Sequence, residues 1–298
     1  MKTEQPLALE SSGINIIDDV NDIESVKKVV DSGPESLESL ESIESTICPV
    51  DEFRNEFIKS HKMLSKYEHD DIFLERMLLF FRGDINKTLK ALCDYINIVQ
   101  NHANFFIWPD MEHIMEQDVV LVSNLRLPDG RAIGYGKVGN WLPDKLTLVD
   151  IARFALATSD AEMIDKELVV HGFDLIIDVK GLSWWQIPHL TIGMLRLLHD
   201  YHKLFGHIVH EVHVVNESYW LNIAYNIVKP FLLEEFRKKI HFHGNGFTKL
   251  HERYSTSVLP PEYGGTYTGE YSTKVNAERH AKLRHITENR WNAYKQKK

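Results

Sequence analysis

Ile208-Val-His-Glu-Val-His-Val-Val-Asn216, Glu217-Ser-Tyr-Trp-Leu-Asn-Ile-Ala-Tyr-Asn-Ile-Val-Lys-Pro-Phe-Leu-Leu233 and Lys239-Ile-His-Phe-His-Gly244 succeed one another almost without interruption. The first and last alternate as strands do, and the middle piece is too apolar for an ordinary surface helix. From Tyr219 to Phe236 the non-polar residues are Tyr219, Trp220, Leu221, Ile223, Ala224, Tyr225, Ile227, Val228, Phe231, Leu232, Leu233 and Phe236. They go nearly all the way round a helical wheel, whereas a surface helix carries one apolar stripe. Two readings fit. Either the helix touches two apolar environments, an apolar cavity on one side and a membrane on the other, or it is a buried core helix.

Working outward, 298 residues hold one large domain or two small ones, with enough apolar content for a core. Cys48 and Cys93 give neither a disulfide framework nor a zinc spacing, which fits a reducing compartment. The N-terminus lacks the layout of a signal peptide, and no apolar run is long enough to span a bilayer, so a cytoplasmic protein is expected. The net charge of −9 is local: residues 1–50 carry eleven acids against three lysines. The last 25 residues carry eight Lys/Arg against Glu278 and Glu288. Nothing resembles the basic face of a nucleic-acid binder, and none is expected as a partner.

Residues 1–47, with Glu35-Ser-Leu-Glu-Ser-Leu-Glu-Ser-Ile-Glu-Ser45, read as an acidic tail, disordered or only locally helical, that could engage a protein partner. Residues 48–105 read as a small helical domain: Leu74, Met77, Leu78 and Phe81, then Leu89, Leu92, Cys93 and Ile96, fall at helical spacing on either side of a Gly83-Asp84 turn. From 106 to 270 short β-rich stretches (119–123, 132–136, 173–179) join the two strands above, with helices at 148–162 and 188–201 between. Thr147 with Asp150 reads as a cap for the first helix. That alternation implies an α/β domain with a mostly parallel sheet. Residues 271–298 hold a basic helix, roughly Val275–Lys295.

Catalytic and metal motifs are absent or fail on context. Gly134-Tyr-Gly-Lys-Val-Gly139 spells a dinucleotide fingerprint, but Asn140-Trp-Leu-Pro143 follows where a helix must open. His241 and His243 share a strand face, without an acid or cysteine beside them at ligand spacing. No nucleophile–base arrangement stands out, and Asp178 at a strand end has no partner base. No catalytic residue, metal or cofactor is expected.

The ordered set Asp178-Val-Lys-Gly181, His213-Val-Val-Asn-Glu217, Val228-Lys-Pro-Phe-Leu232, Lys239-Ile-His-Phe-His-Gly244 and Leu259-Pro-Pro-Glu-Tyr-Gly-Gly265 resembles the CRAL-TRIO lipid-transfer family, over roughly residues 55–270. The branch it looks like is that of alpha-tocopherol transfer protein and cellular retinaldehyde-binding protein. The resemblance implies an N-terminal helical bundle, a sheet flooring a lipid cavity, and a mobile gate helix from Asn216 to about Lys239, broken at Lys229-Pro230. It implies a monomer that binds a small hydrophobic ligand (a tocopherol, retinoid, carotenoid or similar lipid) and moves it between membranes; the alternative is a lipid-sensing scaffold. By matching, the ligand wall is Ala155, Ser159, Phe173, Ile177, Leu190, Met194, Val215, Ile223, Ile227 and Phe231, with Ser159 either holding a ligand hydroxyl or bonded to its own backbone. The phosphoinositide cleft of that branch maps onto Ile208, His210, Glu235, Arg237 and Lys239, of which His210, Arg237 and Lys239 are the candidate phosphate contacts. The reduced cationic set implies weaker or histidine-dependent phosphate binding, with the basic C-terminal helix compensating by touching anionic lipid.

Overall fold

The computed structural model describes residues 40–111, 114, 116–269 and 272–296. Most of the acidic tail therefore lies outside the described residues. Within its range, Leu40–Glu44 forms a helix whose Ile43 is buried, so ordered packing begins ahead of residue 48.

Five strands form one sheet in the order β1-β2-β3-β4-β5. They are β1 (Val120–Arg126), β2 (Ala132–Lys137), β3 (Phe173–Asp178), β4 (Val209–Val215) and β5 (Ile240–Phe242). β1 and β2 pair antiparallel through the 127–131 turn, and β2 through β5 run parallel. This is an α/β fold with a parallel-dominated sheet, as the alternation of strands and helices predicts. The crossovers are helical: Leu148–Glu162 lies between β2 and β3, and Ile192–Phe205 between β3 and β4. Thr147 caps the first of these, its Oγ1 accepting from the Asp150 amide at 3.2 Å.

The helices that matter below are α1 (Asp71–Phe80), α2 (Ile85–Asn101), α3 (Leu148–Glu162), α4 (Ile192–Phe205), α5 (Tyr219–Val228) and α6 (Arg284–Lys295). Asp70 and Asp84 cap α1 and α2 from their side chains, and the turn between these helices takes positive φ at Arg82 and Gly83. Phe73, Leu74, Met77 and Leu78 of α1 and Tyr95 and Ile96 of α2 are almost fully buried. They share one hydrophobic cluster with Leu156 of α3, Val209 and Val212 of β4, and Trp291 and Tyr294 of α6. The helical stretch and the sheet thus bury a common core.

The C-terminal segment departs from the expected single basic helix in two ways. It divides into Thr273–Ala281 and α6, and one face of α6 is internal. Arg290 is 4% exposed and donates from Nε to Asp70 Oδ2 at 2.7 Å, while Trp291 Nε1 donates to Asp160 Oδ2 at 2.6 Å. Tyr95 also donates to Asp160, whose carboxyl burial pushes upward against the pull of Arg290. The Tyr294 hydroxyl meets His69 Nδ1 at 2.8 Å. Charge counting failed because Trp291 and Tyr294 fix which way the helix faces, and a buried arginine needs its acids.

Trp291→Ala should cost about 3–5 kcal/mol in chemical unfolding, as large core truncations do. Arg284→Ala, whose exposed side chain pairs with Glu288 on the same helix and lies 5.9 Å from the Trp108 ring, should change stability by less than about 1 kcal/mol. Equal effects would show that α6 is a surface helix after all.

Candidate functional site

The two faces of the sheet are filled differently. On one face Leu121, Ile133, Tyr135, Ile176 and Val215 pack with Tyr254, Leu259 and Tyr263, all buried. Tyr135 and Tyr263 stack there with rings 3° from parallel. A polar network runs through the same face. Arg131 Nη1 donates to both Asp174 oxygens at 2.8 Å, and the Tyr254 hydroxyl donates to Asp174 at 2.7 Å. His213 lies 2.8 Å from that hydroxyl through Nε2 and 2.8 Å from His243 Nε2 through Nδ1. The hydrogen bond with His213 is the main cause holding the Glu211 carboxyl down at about 2. Burial, then His213, takes His243 down to about 4. Among the described residues no group of three or more donors is arranged to hold a metal. This face is sealed.

The other face carries Phe173, Leu175 and Ile177 of β3 beside Gly134 and Gly136 of β2, in register Gly134↔Leu175 and Gly136↔Ile177. A β-carbon at Gly134 would touch Leu175 and Phe173, while one at Gly136 would meet nothing within 4 Å. The glycine pair leaves part of the sheet without side chains. The third glycine of that hexapeptide, Gly139, lets Lys180 approach: a β-carbon there would sit 1.6 Å from the Lys180 carbonyl oxygen. All three glycines have steric work unrelated to nucleotide binding. In β4 a bulge intervenes, since Phe173 pairs with Val209 but Leu175 with Val212. The extra residue brings both Val209 and Val212 to the main core and pushes His210 and Glu211 out of it.

Segment 217–237 covers this face. Leu221 is buried against Val179, Leu182 and Val214, with Ala224 and Trp220 beside Ile177, Ile240 and Phe242. Tyr225 meets Phe242 edge-on at 5.2 Å. Lys229–Phe231 is a 3-10 turn with Pro230 as its second residue, then Glu234–Arg237 is a last helical turn. The segment begins at Asn216, which takes positive φ (56°) and donates from Nδ2 to Asp178 Oδ1 at 2.9 Å. Asp178, a candidate acid by sequence, thereby anchors the start of the segment.

Among the residues matched from sequence, Phe173 and Ile177 lie on the open face, and Ile223, Ile227 and Phe231 on the covering segment. All five are half-buried, as are Ala155, Ser159, Leu190 and Met194. Val215 is misplaced: it is fully buried on the sealed face, and alternation puts Val212 and Val214 on the open one. Ser159 is hydrogen-bonded to Tyr201 of α4, whose hydroxyl lies 3.4 Å from Asp160. Gly136, Ile240 and Phe242 were missed, although strand register was the signal that carried them.

The matched phosphate positions differ in exposure and pairing. Ile208 is buried, and His210 and Glu235 are exposed. Lys239 donates from Nζ to the carbonyls of Val209 at 2.6 Å and Gly206 at 3.3 Å, and burial lowers its pKa. Arg237 is half-buried, with Nε enclosed and meeting no hydrogen-bond partner among the described residues.

Residues 119–265 match the CRAL/TRIO domain. Clavesin-2 of Homo sapiens is 38% identical over 137 residues, 46% of this chain and 42% of that protein. Clavesin-1 of Xenopus laevis is 31% identical over 203 residues, 66% of this chain and 61% of that one. The match thus spans between about two fifths and three fifths of those relatives' length. The crystal structure of Sfh5 superposes with a TM-score of 0.45 and 14% identity, covering 83% of this chain and 96% of that one.

Filling the bare part of the sheet should abolish occupancy without unfolding the chain. Gly136→Phe should keep cooperative unfolding and lower the fraction that carries apolar cargo by at least about tenfold, read by native mass spectrometry after incubation with lipid vesicles. Undiminished occupancy would place the cargo elsewhere.

Proposed function

The chain carries a CRAL-TRIO domain, and from that premise we propose that it binds one small hydrophobic lipid between the open face of the sheet and the segment 217–237, and exchanges it with membranes. The observation that carries this reading is the pairing of two incompletely filled apolar surfaces. Phe173, Leu175, Ile177 and the bare Gly136 face one way, and Ile223, Ile227 and Phe231 lie on the cover; none of these side chains is fully buried. A protein interior is normally filled to crystal-like density, so half-buried apolar groups on an internal layer mark room for a guest. Burying about 400 Å² of ligand surface contributes on the order of 10 kcal/mol before association costs. A tocopherol, retinoid, carotenoid or comparable lipid suits that chemistry, with the Ser159–Tyr201 pair as the polar contact for a ligand hydroxyl.

The cover acts as the gate, swinging as one piece between Asn216 and about Lys239. Its starting end faces a patch suited to a bilayer. Trp184 and Trp185, stacked at 3.7 Å, are 48% and 63% exposed, Ile192 is 56% and Tyr219 is 74% exposed. The Ser218 hydroxyl reaches the Leu182 carbonyl at 3.4 Å, which ties the start of α5 to the tryptophan loop. Tryptophan and tyrosine favour the interfacial zone of a bilayer, and exposed apolar clusters of this kind mark interaction surfaces. No helix among the described residues is long and apolar enough to cross a membrane, so attachment through the described part is peripheral. Phosphoinositide docking would draw on Arg237, whose enclosed Nε lacks a partner among the described residues, more than on Lys239, whose ammonium is already held by two carbonyls.

Fluorescent-lipid transfer between donor and acceptor vesicles tests this. The wild-type chain should accelerate transfer, and Trp184→Ser with Trp185→Ser should cut vesicle binding by at least about tenfold, as losing about 2 kcal/mol of apolar burial implies. Pre-loaded ligand should stay bound in solution. A chain that neither takes up nor moves lipid would sink the reading.

A further inference from the structure

Two histidines of α4 meet the far end of the gate, and they differ in kind. His199 Nδ1 donates to the Phe231 carbonyl at 3.0 Å, inside the 3-10 turn that carries Pro230. A carbonyl only accepts, so Nδ1 holds the proton and Nε2 is free to take a second one without breaking the bond. One turn on, the His202 ring stands edge-on to Phe236, with centroids 3.9 Å apart at 74°. His202 is 8% exposed, and its Nδ1 is enclosed without a hydrogen-bond partner among the described residues. Gly206 makes its berth, since a β-carbon there would come within 2.3 Å of the His202 ring.

We propose that His202 is a proton-sensitive latch: neutral, it packs against Phe236 and holds the gate down, and protonated, it releases the gate. The inference rests on the gate reading given above. The titratable groups facing His202 are His199 on its own helix and Lys239 beyond the gate, and both oppose a second positive charge. Asp200, the nearest acid on α4, is already held by His102 at 2.7 Å. A charged imidazole in contact with a phenyl ring, with no anion to meet it, is expelled toward water.

Burial, then His199 and Lys239, lowers the His202 pKa in the closed state to about 4, against an ordinary value near 6.5 once the gate lifts. The open state therefore binds the proton first. Closure is fully favoured above pH 6.5 and is lost progressively as pH falls toward 4; between pH 7.5 and 5.5 the closed-to-open ratio drops about tenfold. His199 does the opposite job: its bond to Phe231 survives protonation, so it acts as a pin while His202 acts as the sensor.

Hydrogen exchange of residues 217–237, corrected for intrinsic rates, tests the latch on the full ligand-free chain. Wild-type exchange there should rise about tenfold from pH 7.5 to 5.5, while His202→Leu and His202→Gln should flatten that dependence. His199→Ala should raise exchange equally at both pH values. NMR titration of the wild-type His202 Hε1 resonance should show no protonation of the closed form at pH 6. A His202 that titrates near 6.5 in the closed form, or variants that keep the wild-type pH dependence, would overturn the latch. A segment as protected as the sheet at every pH would overturn the gate itself.

Discussion

One constraint organises the molecule: the sheet is packed to completion on one face and left unfinished on the other. The completed face is held by more than apolar contact. Asp174, buried in the middle of the sheet, is neutralised by Arg131 just ahead of β2 and receives the Tyr254 hydroxyl, which in turn touches His213 of β4. That chain ties β3, β4, the turn ahead of β2 and the 254–263 stretch together, and losing Arg131 would leave the buried Asp174 charge uncompensated. Because this face is rigid, the opposite face keeps an apolar surface that its own residues do not fill.

The helices supply the second half of the frame. Asp160 at the end of α3 gathers Tyr95 from α2 and Trp291 and Arg290 from α6, so helices far apart in sequence converge on one carboxylate. The same α3 carries Ser159, one residue earlier, bonded to Tyr201 on α4. Tyr201 packs in the same cluster as Phe173, Leu175 and Ile177 of the open face, so the polar core of the helical layer borders that face. The covering segment is tied by side chains from Asn216 to Asp178 and from His199 to Phe231, and between them Leu221 and Tyr225 pack on the sheet.

Much of this was legible in the letters. Strand alternation placed four of the five strands to within a residue or two and ended β1 three residues early, Thr147 announced its helix, and the apolar run from Tyr219 marked a helix without showing which surfaces it meets. What could not be read were relations between elements. Val215 follows the alternation of β4, but only pairing with β3 shows which face that is, and the bulge at His210–Glu211 shifts it. The basic letters of the C-terminus suggested a surface helix until Trp291 and Tyr294 turned it inward and Arg290 found Asp70. Lys239 read as a free cation, yet two backbone carbonyls occupy its ammonium. Gly134-Tyr-Gly-Lys-Val-Gly139 was set aside as a nucleotide loop for want of a helix after it, and the steric surroundings of its glycines, bare sheet at Gly136 and close approach at Gly139, exist only in three dimensions.

The most direct measurement is photo-crosslinking with a diazirine-bearing lipid loaded from vesicles, followed by peptide mass spectrometry. Adducts on Ile177, Leu175, Ile223, Ile227 or Phe231 would place the cargo between floor and gate. Adducts confined to the polar groove lined by Lys87, Lys90 and Lys203, or to the exterior of Trp184 and Trp185 alone, would contradict an enclosed ligand and leave a protein that touches lipid without carrying it.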